Sequence, residues 1–355
     1  MNKGRTLIKG LFSSISILFW SQLCLGQNQG LFDSNEILEI NLKGDFNKLF
    51  KDTKGEPQYF DFSMGLADSS GKQIALPLRI RTRGHFRREM NICDYPPLLL
   101  NFSKDHIENT VFQGQDKLKL VMPCQGEKYV FREFYAYKLY NLLTEKSFKV
   151  RLVRLTIVDQ SEKAKHYDPL FCFLIEDEEQ MAQRNQMTSL DQELIRPEKI
   201  ESDDFHRMAV FQFLIGNTDW SIQYRQNIKL MKTPEMEKPI AVPYDFDHSG
   251  IVAAPYAKPA SELLLKYVTD RRYRGYCIED MGDFEKTFSE FNSQKAAIYA
   301  LYLDSKLLDE KSVKSTLKFL DGFYETINDP KKSKYDFQYP CRPDGTGNIV
   351  IKGLK

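Results

Sequence analysis

One segment of the chain reads FQFLIGNTDW at residues 211–220, and a second reads IAVPYDFD at residues 240–247. The first begins with the apolar pattern of a buried helix that its glycine can end, so the following loop presents Asp219. The second reads as a short buried strand whose end offers Asp245 and Asp247. The two segments therefore predict a helix and a strand that both finish in acidic loops.

A strand that starts at Asn227 and turns back near Thr233 lies between these segments. The resulting hairpin brings Asn227 close to Asp245. An amide oxygen and carboxylates at loop ends form a hard, oxygen-rich site, the kind that holds Mg²⁺ and leaves room for phosphate oxygens. Asp219, on a different loop, is placed to accept a proton from an attacking hydroxyl group.

The remaining sequence predicts a β-rich first half and a helical second half. Alternating or apolar runs predict strands at residues 37–42, 59–65, 78–83, 97–102, 117–122, 150–159 and 170–176. Helical spacing predicts helices at residues 129–143, 202–216 with Ser202 as N-cap, 283–303 and 310–327. The predicted fold class is α+β, with a β-rich N-lobe before a helical C-lobe.

Two groups of charged residues in the first half of the chain have more than one interpretation. Arg79, Arg81 and Arg83 stand at alternate positions of one strand, so they form either a solvated strand face or a row facing phosphate. Arg132 and Glu133 lie on the first long helix, where we expect surface charges rather than an internal ion pair.

The segment from Leu78 to Pro259 resembles the CotH family of spore-coat kinases, an atypical branch of the protein-kinase-like fold, and more distantly the HipA kinases. The features that carry this resemblance are Arg83-Gly84 after a basic strand, Arg132 in a helix, Glu176 at a strand end, the Asn217-x-Asp219 loop, Asn227, and the segment Tyr244-Asp245-Phe246-Asp247.

The resemblance implies a two-lobed kinase fold that uses ATP and Mg²⁺ (or Mn²⁺). It implies that Asp219 is the catalytic aspartate, that Asn227 and Asp245 bind the metal, and that Asp247 is an accessory metal ligand. The usual protein-kinase loop separates the first two of these residues by five positions, whereas here they lie eight apart.

The nucleotide is expected to contact Arg83, Glu176 and a lysine. Because the strand after the Arg-Gly turn carries no obvious lysine, the phosphate contact falls to Lys119 on the following strand, with Lys117 as the less favoured alternative.

Composition excludes some classes of partner. Lysine plus arginine (50) balance aspartate plus glutamate (49), so no global field favours nucleic acid or an anionic membrane. The five histidines are dispersed without metal-ligand spacing. After the N-terminus, no segment approaches the roughly 20 apolar residues of a membrane span.

The first 26 residues read as a cleavable signal peptide. A basic start precedes a short apolar stretch, and the small-residue pair Cys24 and Gly26 places cleavage after Gly26. We therefore expect a periplasmic or secreted protein. The expected division is residues 1–26 as the signal, 27–77 as an N-terminal β-rich segment, 78–180 as the N-lobe, and 181–355 as the C-lobe with the catalytic loop.

Five cysteines follow the predicted cleavage site, and an oxidising compartment allows disulfides between them. Cys172 lies in an apolar run and is expected to be a buried free thiol. Of the three possible pairings of the other four, we favour Cys93 with Cys124 and Cys277 with Cys341.

These observations favour an exported kinase that transfers a phosphoryl group from ATP to a hydroxyl of a protein, a glycan or a small molecule. Its partners would be the nucleotide and an unidentified acceptor, an extracytoplasmic protein being one candidate. Two alternatives stay open because ATP is scarce outside the cytoplasm: a non-catalytic binding or scaffold protein with a kinase-like fold, and a metal-dependent phosphoesterase.

Overall fold

The computed structural model describes residues 1, 30–67, 71–84, 86–89, 92–192 and 194–345. The predicted signal peptide, apart from its first residue, and the cleavage site after Gly26 lie outside the described residues. Among the helices that are described, none is both long and apolar enough to cross a bilayer.

The described part of the chain contains ten strands in two sheets. The strands are β1 (Leu38–Gly44), β2 (Phe60–Ala67), β3 (Gln73–Thr82), β4 (Leu98–Phe102), β5 (Lys117–Val121), β6 (Val150–Asp159), β7 (Leu170–Ile175), β8 (Thr188–Leu190), β9 (Ile228–Lys232) and β10 (Ile240–Pro243). The first seven close into a barrel in the order β1-β2-β3-β4-β5-β7-β6, and the last three form a small sheet in the order β10-β9-β8. All pairs are antiparallel except β1 with β6.

The helices follow mostly in the second half of the chain. They are α1 (Phe46–Lys51), α2 (Phe86–Glu89), α3 (Glu127–Leu143), α4 (Glu178–Arg184), α5 (Ser202–Ile215), α6 (Glu285–Leu303), α7 (Glu310–Ile327) and α8 (Pro330–Phe337). The protein is therefore a mixed α+β fold with a β-rich N-terminal region and a helical C-terminal region. This agrees with the coarse prediction from the sequence.

Closure of the barrel is the main departure from the predicted N-lobe. β1 pairs with β2 on one side and runs parallel to β6 on the other, with Leu38 opposite Val153. The strands within residues 27–77 thus belong to the same sheet as the rest, and the boundary expected at residue 78 falls inside β3. Within the described residues, every strand of this barrel pairs on both sides, so the barrel presents no free strand edge.

Alternation along the strands fills the barrel with apolar side chains. On β5, Leu118 and Leu120 are fully buried in the barrel core, whereas Lys117 and Lys119 point outward. A second, larger core lies outside the barrel wall, where α3 packs on β6 and β7 and against α5 and α6. The outer barrel face and the helical region therefore share one interior.

The helix before the acidic loop starts and ends by local capping. The N-cap of α5 is Glu201, not Ser202 as predicted, because the Glu201 carboxylate accepts from the backbone N–H of Asp204 (2.9 Å). Gly216 ends the helix with φ 65°, in the left-handed region that glycine adopts without strain.

Both favoured disulfides are present, Cys93–Cys124 and Cys277–Cys341, and Cys172 is a buried free thiol. The first bond ties the β3–β4 connection to the residues just after β5. The second ties the segment before α6 to the end of α8.

Candidate functional site

The loop after α5 is fixed by side chains that bond to its backbone. Asn217, almost fully buried, accepts from the backbone N–H of Asp219 through Oδ1 (3.0 Å) and donates to Gln212 through Nδ2 (3.0 Å). The buried Arg274 donates to the carbonyl oxygens of Thr218 (2.5 Å) and Trp220 (2.6 Å), on either side of the aspartate. Asp219 is therefore held on a rigid loop.

Asn227 bonds directly to this aspartate. Its amide nitrogen donates to the backbone carbonyl oxygen of Asp219 (2.8 Å) and to its carboxylate (3.0 Å). The longer spacing between the two residues is taken up by a fold-back in which Ser221 pairs with Gln226. Because the amide nitrogen is engaged, the amide oxygen is the atom of Asn227 that can bind a metal.

The predicted hairpin is present and sets Asp245 beside Asn227. The backbone N–H of Tyr244 donates to the carbonyl oxygen of Asn227 (3.1 Å), and that of Asp245 donates to the Tyr137 hydroxyl (2.8 Å). Asn227 (φ 51°) and Asp245 (φ 62°) both adopt the left-handed conformation. Such strain is concentrated at functional sites, so this hairpin end is a candidate site.

Asp245 and Asp247 share one cation. Arg87 of α2 lies 3.4 Å from Asp245 Oδ1 through Nη2 and 3.5 Å from Asp247 Oδ2 through Nε. The Tyr256 hydroxyl donates to Asp247 Oδ2 (3.0 Å). Burial and the charge of Asp247 raise the pKa of Asp245 above its ordinary value. Burial also opposes ionisation of Asp247, but Arg87 and its other neighbours hold the pKa of Asp247 below its ordinary value.

Two further cations influence Asp245. Burial lowers the pKa of Arg83 and Asp245 counteracts this, while burial, Arg83 and Lys229 together lower the pKa of Lys119 to about 8. The Lys119 ammonium lies 4.7 Å from the centre of the Tyr244 ring. Arg83 and Lys119 thus lie in the electrostatic environment of Asp245.

The structure distinguishes Lys119 from Lys117, and Arg83 from Arg79 and Arg81. Lys117 is exposed and near Asp116 (3.9 Å), so it does not join Lys119. Arg79 and Arg81 lie over the Tyr59 ring at 5.2 Å and 5.1 Å. Arg83, the first residue after β3, is influenced electrostatically by Asp245.

Glu176 has a different environment from the other predicted site residues. Its carboxylate accepts two bonds from Arg184 (3.0 Å and 2.9 Å) and one from the backbone N–H of Lys149 (2.9 Å). Both oxygens are therefore occupied by contacts that join β6, β7 and α4. The Glu176 side chain makes these bonds and none to the charged cluster of Arg83, Arg87, Lys119, Asp245 and Asp247 in the described residues, and its contact with a nucleotide stays a prediction.

Glu133 belongs to the cluster although the sequence reading placed it on the surface. It is 2% exposed, and its Oε1 atom has no hydrogen-bond partner. Burial raises its pKa strongly, against the opposing effect of Arg87. Its position on the apolar α3 stripe with Val130, Phe134 and Tyr137 is a signal that could have placed it inside the protein. Nothing comparable marked Arg87, which lies in a short helix without periodicity.

Arg132, the neighbour of Glu133, points elsewhere. Its guanidinium donates to the Val252 carbonyl oxygen (3.1 Å) and to the Ser312 hydroxyl (3.1 Å). It joins α3 to the segment after the acidic hairpin and to α7, a structural role.

The oxygen donors fit a divalent cation that brings other ligands with it. In the described ranges, no group of three His, Cys, Asp or Glu side chains is arranged to hold a metal alone. Asn227 and Asp245 lie at adjoining ends of the hairpin, with Asp247 and the unpartnered oxygen of Glu133 near Arg87. Mg²⁺ is commonly bound in this way, through one or two carboxylates plus phosphate oxygens.

No protein-family model and no curated protein matches the chain. Among solved structures, the chain is similar to the crystal structure of the Helicobacter pylori proinflammatory kinase CtkA, with 13% sequence identity, coverage of 60% of this chain and 88% of that chain, and a TM-score of 0.37. This is a distant structural similarity, and none of the residue roles discussed here depends on it.

Proposed function

We propose that this protein is an exported, CotH-like kinase that transfers a phosphoryl group from ATP to a hydroxyl group of an acceptor. The observation that carries the proposal is the convergence of the half-buried cations Arg83 and Lys119 on Asp245 at the open end of a hairpin, where Asn227 also holds Asp219. The phosphates of a nucleotide bind to cations, and the metal ion that accompanies them binds to oxygen ligands. The basic and the acidic residues of this site therefore complement the phosphates and the metal ion of one nucleotide.

Each side chain then has a distinct task. Arg83 and Lys119 bind phosphate oxygens through charge-assisted hydrogen bonds. Asn227, Asp245 and Asp247 would hold Mg²⁺ or Mn²⁺, which neutralises charge on the phosphates when bound. Asp219 orients the acceptor hydroxyl and accepts its proton, and the amide of Asn227 keeps the carboxylate in place (3.0 Å).

The proposal includes an extracytoplasmic location. The two disulfides are compatible with an oxidising compartment, although such bonds do not identify one. Fractionation of cells that express the full chain tests the location directly. We expect the processed protein outside the cytoplasm, beginning after Gly26, and unprocessed protein in the cytoplasm would contradict this.

A pair of assays separates the proposed activity from its alternatives. A thermal-shift titration with ATP and Mg²⁺ or Mn²⁺ measures binding, and labelled ATP measures transfer to added acceptors or to the protein itself. Asp219→Asn is expected to keep the nucleotide-dependent stabilisation and to lose transfer, because it changes the proton acceptor alone. Binding without transfer by the wild type favours a scaffold, and hydrolysis of a phosphoester without ATP favours a phosphoesterase.

A further inference from the structure

We propose that Arg87 is an exchangeable internal counter-ion: in the ligand-free protein it neutralises Asp245 and Asp247, and it competes with a divalent cation for these carboxylates until an anionic ligand draws it away. The inference rests on the proposed function for the identity of that anion, a nucleotide polyphosphate. Its consequence is that metal and nucleotide bind cooperatively.

The contacts of Arg87 suit a group that can be displaced. Its guanidinium divides itself between two carboxylates, through Nη2 to Asp245 (3.4 Å) and through Nε to Asp247 (3.5 Å). Both distances exceed the 2.7–2.9 Å of a well-formed charge-assisted bond. The side chain is 9% exposed, so the pairing is electrostatically significant without being geometrically tight.

The neighbouring arginine shows what a permanently bound guanidinium looks like in this fold. Arg88 donates to the Thr82 hydroxyl (2.9 Å), to the Gly55 carbonyl oxygen (2.8 Å) and to the Asp52 carboxylate (3.3 Å). These bonds fix the backbone of α2 against the β3 end and the loop after α1. Arg87 is thereby held at the site by its main chain, while the ion pairs of its side chain within the described residues are those with Asp245 and Asp247.

Because of the charges at the site, binding of the metal ion and binding of the nucleotide depend on each other. A cation that binds Asp245 and Asp247 alone must enter against Arg87, with Arg83 and Lys119 close by. A polyphosphate that arrives with the metal gives Arg87 a new anionic partner, so the unfavourable contact becomes a favourable one. Metal alone should bind weakly, and metal with nucleotide should bind well.

Titration of the full protein with Mn²⁺ alone, followed by calorimetry or by the spectrum of free Mn²⁺, tests this directly. We expect Arg87→Gln to bind Mn²⁺ about tenfold more tightly than the wild type, since a buried positive charge beside the ligands is removed. The same variant should bind ATP in the presence of Mn²⁺ several-fold more weakly. Arg79→Gln, which removes an exposed arginine of β3, is the matched control and should change neither affinity.

Equal or weaker Mn²⁺ binding by Arg87→Gln would overturn the inference. If that variant does not fold, Arg87→Met takes its place: it also removes the charge and keeps a long side chain, so it must bind Mn²⁺ measurably more tightly than the wild type for the inference to hold. The proposed function fails separately, if the wild type binds no ATP in the presence of Mn²⁺ while Arg87→Gln still gains Mn²⁺ affinity.

Discussion

The two faces of strand β5 differ in what they contribute to the protein. Leu118 and Leu120 point into a closed barrel filled with apolar side chains, whereas Lys119, between them, points outward toward Tyr244 and Asp245. One face stabilises the fold by burying apolar surface, and the other keeps a charge in a partly buried place where it costs stability. Fold and site can therefore be disturbed separately, although both depend on the five residues of β5.

The largest effect is expected on the inner face. Leu120→Ala should lower the free energy of unfolding by about 2–4 kcal/mol, because it leaves a cavity in the barrel core. The stabilisation that ATP and Mn²⁺ add should be unchanged. Chemical denaturation with and without ligand measures both quantities, and Leu142→Ala, a truncation at an exposed helical position, is the control. If Leu120→Ala still folds but ATP and Mn²⁺ no longer stabilise it, the two faces of β5 do not act separately.

A smaller loss is expected at the helix end that carries the catalytic loop. Gly216→Ala places a side chain in the left-handed region and brings a Cβ within 3.0 Å of Phe319 Cζ. We expect a loss of about 1–2 kcal/mol, with turnover reduced more than nucleotide affinity because the loop holding Asp219 shifts. The comparison of turnover with affinity for ATP tests this, and equal losses in both would argue that the loop only supports the fold.

The outer face should respond in the opposite direction. Lys119→Met removes an ammonium group whose pKa is lowered to about 8. The substitution should raise the free energy of unfolding at neutral pH by about 1 kcal/mol and should weaken ATP binding. In the wild type the folded protein holds this proton less tightly than the unfolded chain does. Stability should therefore rise as pH increases from about 8 toward the unfolded value of 10.5, and this rise should be absent in the variant.

Unfolding measured across that pH range separates the two proteins. ATP affinity of the wild type should fall over the same interval, because the phosphates lose a cationic partner. A pH-independent affinity above pH 8 would mean that Lys119 does not contact the nucleotide.

The smallest effect is expected at Glu133. Since burial raises its pKa strongly, the neutral isostere in Glu133→Gln should change stability by no more than about 1 kcal/mol at neutral pH. Thermal unfolding of the two proteins at pH 7 provides the measurement. A loss well beyond this range would show that the ionised carboxylate is required to balance Arg87.

How far the sequence predicts the structure depends on how local each feature is. The helix-ending Gly216 and the hairpin from Asn227 to Asp245 are specified by neighbouring residues, so the acidic loops were predicted in place. The outward position of Lys119 between two buried leucines agrees with the alternation of side chains along a strand.

Features that need distant segments were missed. The barrel closes because Leu38 pairs with Val153, more than a hundred residues away, and no local pattern encodes that register. Arg87 reaches Asp245 across a similar distance in the chain.

The proposed metal–nucleotide site is tested most directly by measuring the thermal stability of the wild type and of Asp245→Asn with ATP and Mn²⁺. At a ligand concentration about a hundred times Kd, binding should stabilise the wild type by about 2.7 kcal/mol. We expect Asp245→Asn to lose this ligand-dependent stabilisation, and Asp219→Asn to keep it but to lose phosphoryl transfer. Equal ligand-dependent stabilisation of wild type and Asp245→Asn would contradict the assignment of this hairpin end as the metal–nucleotide site.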